Sequence, residues 1–232
     1  MSWTDDQAGA PVLLLVHGWG LGAGVWQAVR RHLPGYTCLT PDLGFFAPPR
    51  ELQLPEGRPI WAVGHSLGLL WLLQQLPQAP WRARCRALLG ITAFSRFVRG
   101  DDFPEGVAPR LLQRMQQRLP IDPQAVLRDF ARQGGSELAV PVHIADTAPL
   151  LQGLEWLATW DGRESLRQWQ GTVANLAACD DQIVPQALSR RCFTPEQCQW
   201  LPQGGHLLPV TQPLACARFI QHFLPAGPHD VT

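Results

Sequence analysis

The stretch that most limits how this chain can fold is Ile60-Trp61-Ala62-Val63-Gly64-His65-Ser66-Leu67-Gly68, followed by the strongly apolar residues 69–76. The first part is an uninterrupted hydrophobic run, as a strand buried on both faces requires, and the second has the length and composition of a buried helix. The junction reads Gly-x-Ser-x-Gly. A strand that turns into a helix this abruptly drives neighbouring backbones together, and Gly64 and Gly68 remove the side chains that would collide there. Ser66 is left in a strained conformation with its hydroxyl exposed, at the positive end of a helix that favours developing negative charge. The pattern points to a nucleophilic serine rather than to a structural turn.

The rest of the chain supplies the sheet that such a turn needs. Short apolar runs at 12–16, 36–40, 60–64, 87–91, 173–178 and 198–201 alternate with helical segments at 23–33, 67–76 and 213–223. Strand runs without polar alternation, separated by helices, predict an α/β fold built on a mostly parallel, doubly wound sheet. Residues 95–166 break the rhythm, with helical stretches at 107–119, 123–132 and 148–159 and no strand. An insertion at that point lies over the carboxyl ends of the strands, where ligands bind in such sheets. The expected organisation is one α/β core, residues 1–94 and 167–232, carrying a helical cap at 95–166.

A serine hydroxyl is a weak nucleophile until a base accepts its proton, and that base must be oriented by an acid. After the run at 173–178 comes Cys179-Asp180-Asp181-Gln182-Ile183-Val184-Pro185. Asp181 opens Asp-x-x-Val-Pro and is preferred as the acid, whereas Asp180 reads as a loop-capping residue. His206 stands in Gln203-Gly204-Gly205-His206-Leu207-Leu208-Pro209, a loop before the last helix. Of the other histidines, His17 and His65 precede or adjoin Ser66, His32 and His143 lack a glycine loop, and His222 and His229 lie in or after the closing helix. Ser66, Asp181 and His206 are therefore the candidate triad. Acyl transfer also needs donors where the carbonyl oxygen becomes negative. The backbone amides of Leu67 and of Trp19, in His17-Gly18-Trp19-Gly20 after the first strand, are the candidates.

Composition narrows the alternatives. The 232 residues suit a single domain, and 19 Arg balance 19 acidic residues with no Lys anywhere, which removes Schiff-base and Ser-Lys chemistry. No basic excess suggests nucleic acid or a membrane surface as partner, and no run nears the roughly 18 apolar residues of a membrane span. Six cysteines form neither Cys-x-x-Cys nor a zinc-ligand array, so no metal is expected. The opening Met1-Ser2-Trp3-Thr4-Asp5-Asp6 lacks the apolar region of a secretory signal, and a cytoplasmic monomer with reduced thiols is the expectation.

Taken together, these residues resemble the α/β-hydrolase superfamily along nearly the whole chain. The stretch from Leu15-Val16-His17-Gly18-Trp19-Gly20-Leu21 to Val25-Trp26, the segment Gly153-Leu154-Glu155-Trp156-Leu157, and the Asp181–Pro185 and Gly205-His206 segments are similar to esterases of the pimeloyl-[acyl-carrier protein] methyl ester type, from biotin synthesis. The resemblance implies the α/β-hydrolase fold, a serine carboxylesterase with Ser66, Asp181 and His206 as triad and the Trp19 and Leu67 amides as oxyanion hole, and neither metal nor organic cofactor. It weakens at Asp42-Leu43-Gly44-Phe45-Phe46-Ala47-Pro48-Pro49, where the family carries a Gly-rich motif. The connection from Pro48 to Pro59 looks too short and Pro-rich for the family's intervening helix, and His65 replaces the Trp of those esterases.

Substrate contacts are less sharply marked. Trp19, Leu67, Phe94 and Phe97 suit an acyl chain, and Ser95 offers a hydroxyl nearby. Arg110, Arg114 and Arg118 share one helix face at i, i+4, i+8, and Arg128 and Arg132 repeat the spacing. In the resembled esterases cap arginines receive the acidic acyl carrier protein, which makes Arg110, Arg114 and Arg128 candidates for binding a carrier-bound ester. The alternatives are a thioesterase or acyltransferase working through the same groups, or a ligand receptor that does not hydrolyse.

Overall fold

The computed structural model describes residues 10–46, 48–49, 52–136 and 146–225. The amino-terminal residues 1–6, His143 and His229 lie outside them. Six strands, β1 (Val12–Val16), β2 (Thr37–Leu39), β3 (Ile60–His65), β4 (Cys85–Ile91), β5 (Thr172–Ala178) and β6 (Cys198–Leu201), form one sheet in the order β2-β1-β3-β4-β5-β6. The expected parallel sheet is present, and every pairing in it is parallel. The chain moves outward from β1 to β2, then returns to the other side of β1 with β3. That reversal opens a crevice between the carboxyl ends of β1 and β3, the usual place for a ligand in such a sheet.

Both faces of the sheet are covered, which is why the strands read as continuous apolar runs. Successive strand residues point to opposite faces. Leu13, Leu15, Trp61 and Val63 pack with Trp26 and Val29, around the short α1 (Gln27–Arg31), and with Phe219 and Ile220. Leu14, Val16, Ile60 and Ala62 face the other way, onto Leu69, Leu72 and Leu73 of α2 (Leu67–Gln75). Fully burying each such side chain contributes about 2 kcal/mol. The helix expected at 23–33 is shorter and begins as a 3₁₀ turn at Ala23–Trp26, since Gly22 and Gly24 give little support to a longer α-helix. Between β2 and β3 the described residues form no helix, and Pro41, Pro48, Pro49, Pro55 and Pro59 explain it by withholding backbone donors.

The chain between β4 and β5 is helical: α3 (Pro109–Arg118), α4 (Pro123–Gln133), α5 (Ala148–Thr159) and α6 (Arg163–Arg167). Its extended pairings, among the described residues, are isolated bridges such as Arg96 with Asp161. Leu112, Leu119, Val126, Leu127, Leu150 and Leu154 from this stretch bury against Trp19, Phe94 and the α2 residues Leu67 and Leu70 at the carboxyl edge of the sheet, forming a third apolar cluster. Hydrogen bonds also cross the seam, among them Trp19 Nε1 to the Leu150 carbonyl at 2.8 Å and the amides of His206 and Leu207 to the Gly134 carbonyl, each at 3.0 Å. After β5 come α7 (Gln186–Cys192), β6, the single turn α8 (Leu208–Thr211) and α9 (Pro213–His222). Among the described residues no helix is long and apolar enough to cross a membrane.

Candidate active site

Ser66 sits between β3 and α2 with φ 52° and ψ −122°, a region that few residues other than glycine occupy. Its amide donates to the Ile91 carbonyl at 3.0 Å, which pins the turn to the neighbouring strand. The flanking glycines are steric necessities. A methyl group on Gly64 would collide with the backbone of Leu69, and one on Gly68 with the Val16 carbonyl. The strained serine is therefore held by close packing of strand, helix and the end of β1.

Two loops from the same sheet edge complete a hydrogen-bonded chain. His206 Nε2 lies 2.9 Å from Ser66 Oγ, and His206 Nδ1 lies 2.9 Å from Asp181 Oδ2. A carboxylate only accepts, so Nδ1 carries the ring proton and Nε2 is free to accept from the serine hydroxyl. The other Asp181 oxygen accepts the amides of Ile183 and Val184, each at 2.8 Å. His206 is fully buried, while Ser66 and Asp181 keep only 5% and 8% of their surface exposed. In so dry a setting these charge-bearing contacts are much stronger than in water. Asp180 points elsewhere: its carboxylate receives the amides of Gly204 (3.2 Å) and Gly205 (2.9 Å), holding the loop that presents His206.

The loop after β1 passes directly beside the serine. A methyl on Gly18 would lie 3.1 Å from Ser66 Cβ and 2.8 Å from His65 Nδ1. The amides of Trp19 and Leu67 have no acceptor among the described residues, and Leu67 is the first residue of α2. His17 and Asp42 brace this loop. His17 Nδ1 lies 2.9 Å from the Gly18 carbonyl, the Leu43 amide donates to His17 Nε2 at 2.9 Å, and Asp42 accepts the amides of Gly44 and Ala23. His65 is fully buried, with Nε2 3.0 Å from the His206 carbonyl and no partner for Nδ1. Burial first, then the charges of His206 and His17, push its pKa down to about 3. Burial likewise raises the thiols of Cys192 and Cys198, and that of Cys85 to about 12, so these are poor nucleophiles.

The other candidate residues divide. Phe94 is buried beside Phe97, with ring centres 4.8 Å apart, in the apolar cluster that also holds Trp19 and Leu67. Ser95 is buried too, but its amide faces Cys192 Sγ at 3.4 Å and its carbonyl accepts the Gly162 amide. Arg110, Arg114 and Arg128 are exposed on α3 and α4. Arg128 reaches Gln124, while Arg118 and Arg132 are paired with Asp129. Two contacts of the site had no separate signal in the sequence. Phe130 of α4 sets its ring edge against His206, 6.1 Å between centres, and against Trp19 at 5.1 Å. The Thr92 hydroxyl lies 2.8 Å from the His206 carbonyl. A largely apolar cavity of about 370 Å³ lies between the segment after Gly20 (Val25, Ala28) and Leu127, Phe130, Leu207 and Val210. It reaches Phe130 and the residue after His206, while Ser66, His206 and Asp181 are not in its lining.

A strand–elbow–helix serine, a histidine and an acid from later strand ends, and a glycine loop after the first strand define a hydrolase architecture. The alpha/beta hydrolase family profile matches residues 13–219, and the chain belongs to that family. It is 32% identical over 253 residues to the pimeloyl-[acyl-carrier protein] methyl ester esterase of Pectobacterium atrosepticum, covering 95% of this chain and 92% of that one. It is 30% identical to the biotin biosynthesis bifunctional protein BioHC of Cellvibrio japonicus, covering 92% of this chain but only 47% of that protein. Within the family it falls in the branch of carboxylic ester hydrolases that these relatives represent. Solved structures share the fold at lower identity. A bromoperoxidase from Bacillus anthracis superposes with a TM-score of 0.76 at 17% identity (94% of this chain, 92% of that one), and an esterase from Exiguobacterium antarcticum with 0.74 at 16% (93% of each).

Proposed function

We propose that this protein is a serine carboxylesterase that cleaves its ester through an acyl-enzyme, with Ser66 as nucleophile, His206 as base and Asp181 as orienting acid. The observation that carries the reading is the continuous Ser66–His206–Asp181 chain, with both links at 2.9 Å. As Ser66 Oγ bonds to the ester carbonyl carbon, its proton passes to His206 Nε2, and Asp181 stabilises the imidazolium. The oxyanion is held by the amides of Trp19 and Leu67, and loss of one such donor typically costs about 3–4 kcal/mol. The imidazolium then returns the proton to the departing alkoxide, which leaves as the alcohol. Water, deprotonated by His206, attacks the acyl carbon, and the acid departs as Ser66 regains its proton.

In this reading residues 95–166 act as the cap, and the substrate is the methyl ester of an acyl chain carried on acyl carrier protein, as in the named relatives. Two features support it. The largely apolar cavity bordered by Gly20, Phe130 and Leu207, on the far side of residues that touch or adjoin His206, is the space this reading gives to the acyl chain. Arg110 and Arg114, exposed on α3, have no hydrogen bond or ion pair among the described residues and are free to meet an acidic carrier. The protein works as a cytoplasmic monomer. The test is a fluorophosphonate probe on parent and Ser66→Ala, followed by the methyl ester of a carrier-bound dicarboxylic chain. Labelling confined to Ser66, with release of methanol and of the free acid on the carrier, is expected. Labelling that persists in Ser66→Ala refutes the site, and labelling without methanol release refutes the substrate.

A further inference from the structure

Among the described residues only Ser66 and Thr92, apart from glycines, have a positive φ, at 52° and 45°. They sit side by side. His65 pairs with Ile91 in the β3–β4 register, so Ser66 and Thr92 are the next residues of adjacent parallel strands. For a β-branched residue this conformation is a true outlier, and it persists only where the surroundings enforce it. The strain at Ser66 holds its hydroxyl 2.9 Å from His206 Nε2. The strain at Thr92 puts a fully buried hydroxyl 2.8 Å from the carbonyl of His206. The hydroxyl has one proton, and the Ile91 carbonyl, equally close but adjacent in the chain, already accepts the Ser66 amide, so the proton is assigned to the His206 carbonyl.

That carbonyl has a second donor. His65 Nε2 lies 3.0 Å from it. A carbonyl oxygen only accepts, so this nitrogen carries the His65 proton, consistent with the unpartnered Nδ1 on the other side of the ring. The His206 amide, in turn, donates to the Gly134 carbonyl at the end of α4 (3.0 Å). Every polar group of His206 is therefore committed: amide to the helical segment, carbonyl to Thr92 and His65, Nδ1 to Asp181, and Nε2 to Ser66.

We infer that Thr92 and His65 are positioning residues which, by donating together to the His206 carbonyl, fix the peptide of the base so that its ring stays in line with Ser66. Asp181 sets the direction of the imidazole but not the position of its backbone. Asp180 holds the amides of Gly204 and Gly205 just before it, and the His206 amide is held by Gly134, which leaves the His206 carbonyl as the remaining point at which the peptide can tilt. The strained Thr92 stops that movement from the strand next to the nucleophile.

The inference rests on Ser66 and His206 being the reacting pair, and its test separates the two ideas. Thr92→Val keeps the shape and branching but removes the donor, Thr92→Ala is the smaller alternative should Val fold poorly, and Thr92→Ser keeps the donor. At position 65, Leu removes the donor and Gln retains it. The readouts are the rate of fluorophosphonate labelling at Ser66, and kcat and KM for a small p-nitrophenyl ester. Val, Ala and Leu should lower labelling rate and kcat roughly tenfold, short of the hundredfold that a 1 Å misplacement can cost, with KM within about twofold. Ser and Gln should stay within about threefold of the parent. If Val and Ala label as fast as the parent, or Ser loses as much as Val, the inference is overturned while the site stands. If the parent is not labelled at Ser66, the reading of the site falls and the inference falls with it.

Discussion

Acid should destabilise this protein through His65 by an amount that can be worked out in advance. The imidazole is fully buried and neutral, with its pKa pushed down to about 3 by burial and then by the neighbouring His206 and His17. In the unfolded chain the same group titrates near 6.5. Between those values the unfolded chain binds a proton that the folded chain refuses. Stability is therefore complete above about pH 6.5, falls as pH drops, and levels off only below the folded value. At pH 5 the loss is about 2 kcal/mol, and at pH 4 about 3 kcal/mol, relative to pH 8. The figure at pH 5 scarcely changes for any folded value below about 4, so it tests burial in the neutral form rather than one number.

Other groups titrate in the same range, so the measurement must be a double difference. Urea unfolding of the parent and of His65→Gln, each at pH 8 and pH 5, cancels every group the two share. Gln can still donate to the His206 carbonyl but has nothing to protonate. The parent should lose about 2 kcal/mol more than the variant on going to pH 5, a difference of about 0.7 M in urea midpoint for a slope near 3 kcal/mol per M. Equal losses in the two proteins would show that His65 is not held neutral, and the reasoning would fail at its first step.

Asp181→Asn should lower kcat by about 10³–10⁴ with little change in KM, because the amide can leave the ring in the wrong tautomer; steady-state kinetics on a p-nitrophenyl ester will show it. Asp180→Asn, which weakens only the support of the Gly204 and Gly205 amides, should cost roughly tenfold or less and lower the melting temperature by a few degrees. Ala131→Trp, filling the cavity beside Phe130, should shift a p-nitrophenyl ester series toward short acyl chains. Arg110→Glu with Arg114→Glu should reduce kcat/KM for a carrier-bound ester about tenfold at low salt, with the deficit shrinking as salt rises and small esters unaffected.

What the sequence revealed were features settled within a few residues or by a strong period. The elbow is one: Gly64 and Gly68 are dictated by clashes with Leu69 and Val16 that any such turn creates. The strands are another, since burial on both faces leaves a continuous apolar run in each. The edge strand β2 and the helix after Gly22 came out shorter than their periodicity suggested, because neither is packed tightly on both sides. The Phe130 ring against His206, and the Thr92 hydroxyl on its carbonyl, left no trace in the pattern. Both join segments far apart in the chain, and each residue would read the same if it merely filled the core.

Asp180 and Asp181 show where local reading stops and why. Both lie in the loop after β5, both are acidic, and either could have oriented a histidine. The Asp-x-x-Val-Pro spacing favours the second because its carboxylate can fold back onto the amides of Ile183 and Val184, which fixes it under the ring. The first, one residue earlier, projects toward the other strand-end loop and meets the amides of Gly204 and Gly205 instead. One acid thus orients the imidazole while its neighbour holds the loop that carries it, and Thr92 with His65 secures the peptide between. Geometry of this kind holds His206 from three directions with residues at the carboxyl ends of three strands, so, if His206 is the base proposed above, small changes in any one should alter turnover before they alter the fold.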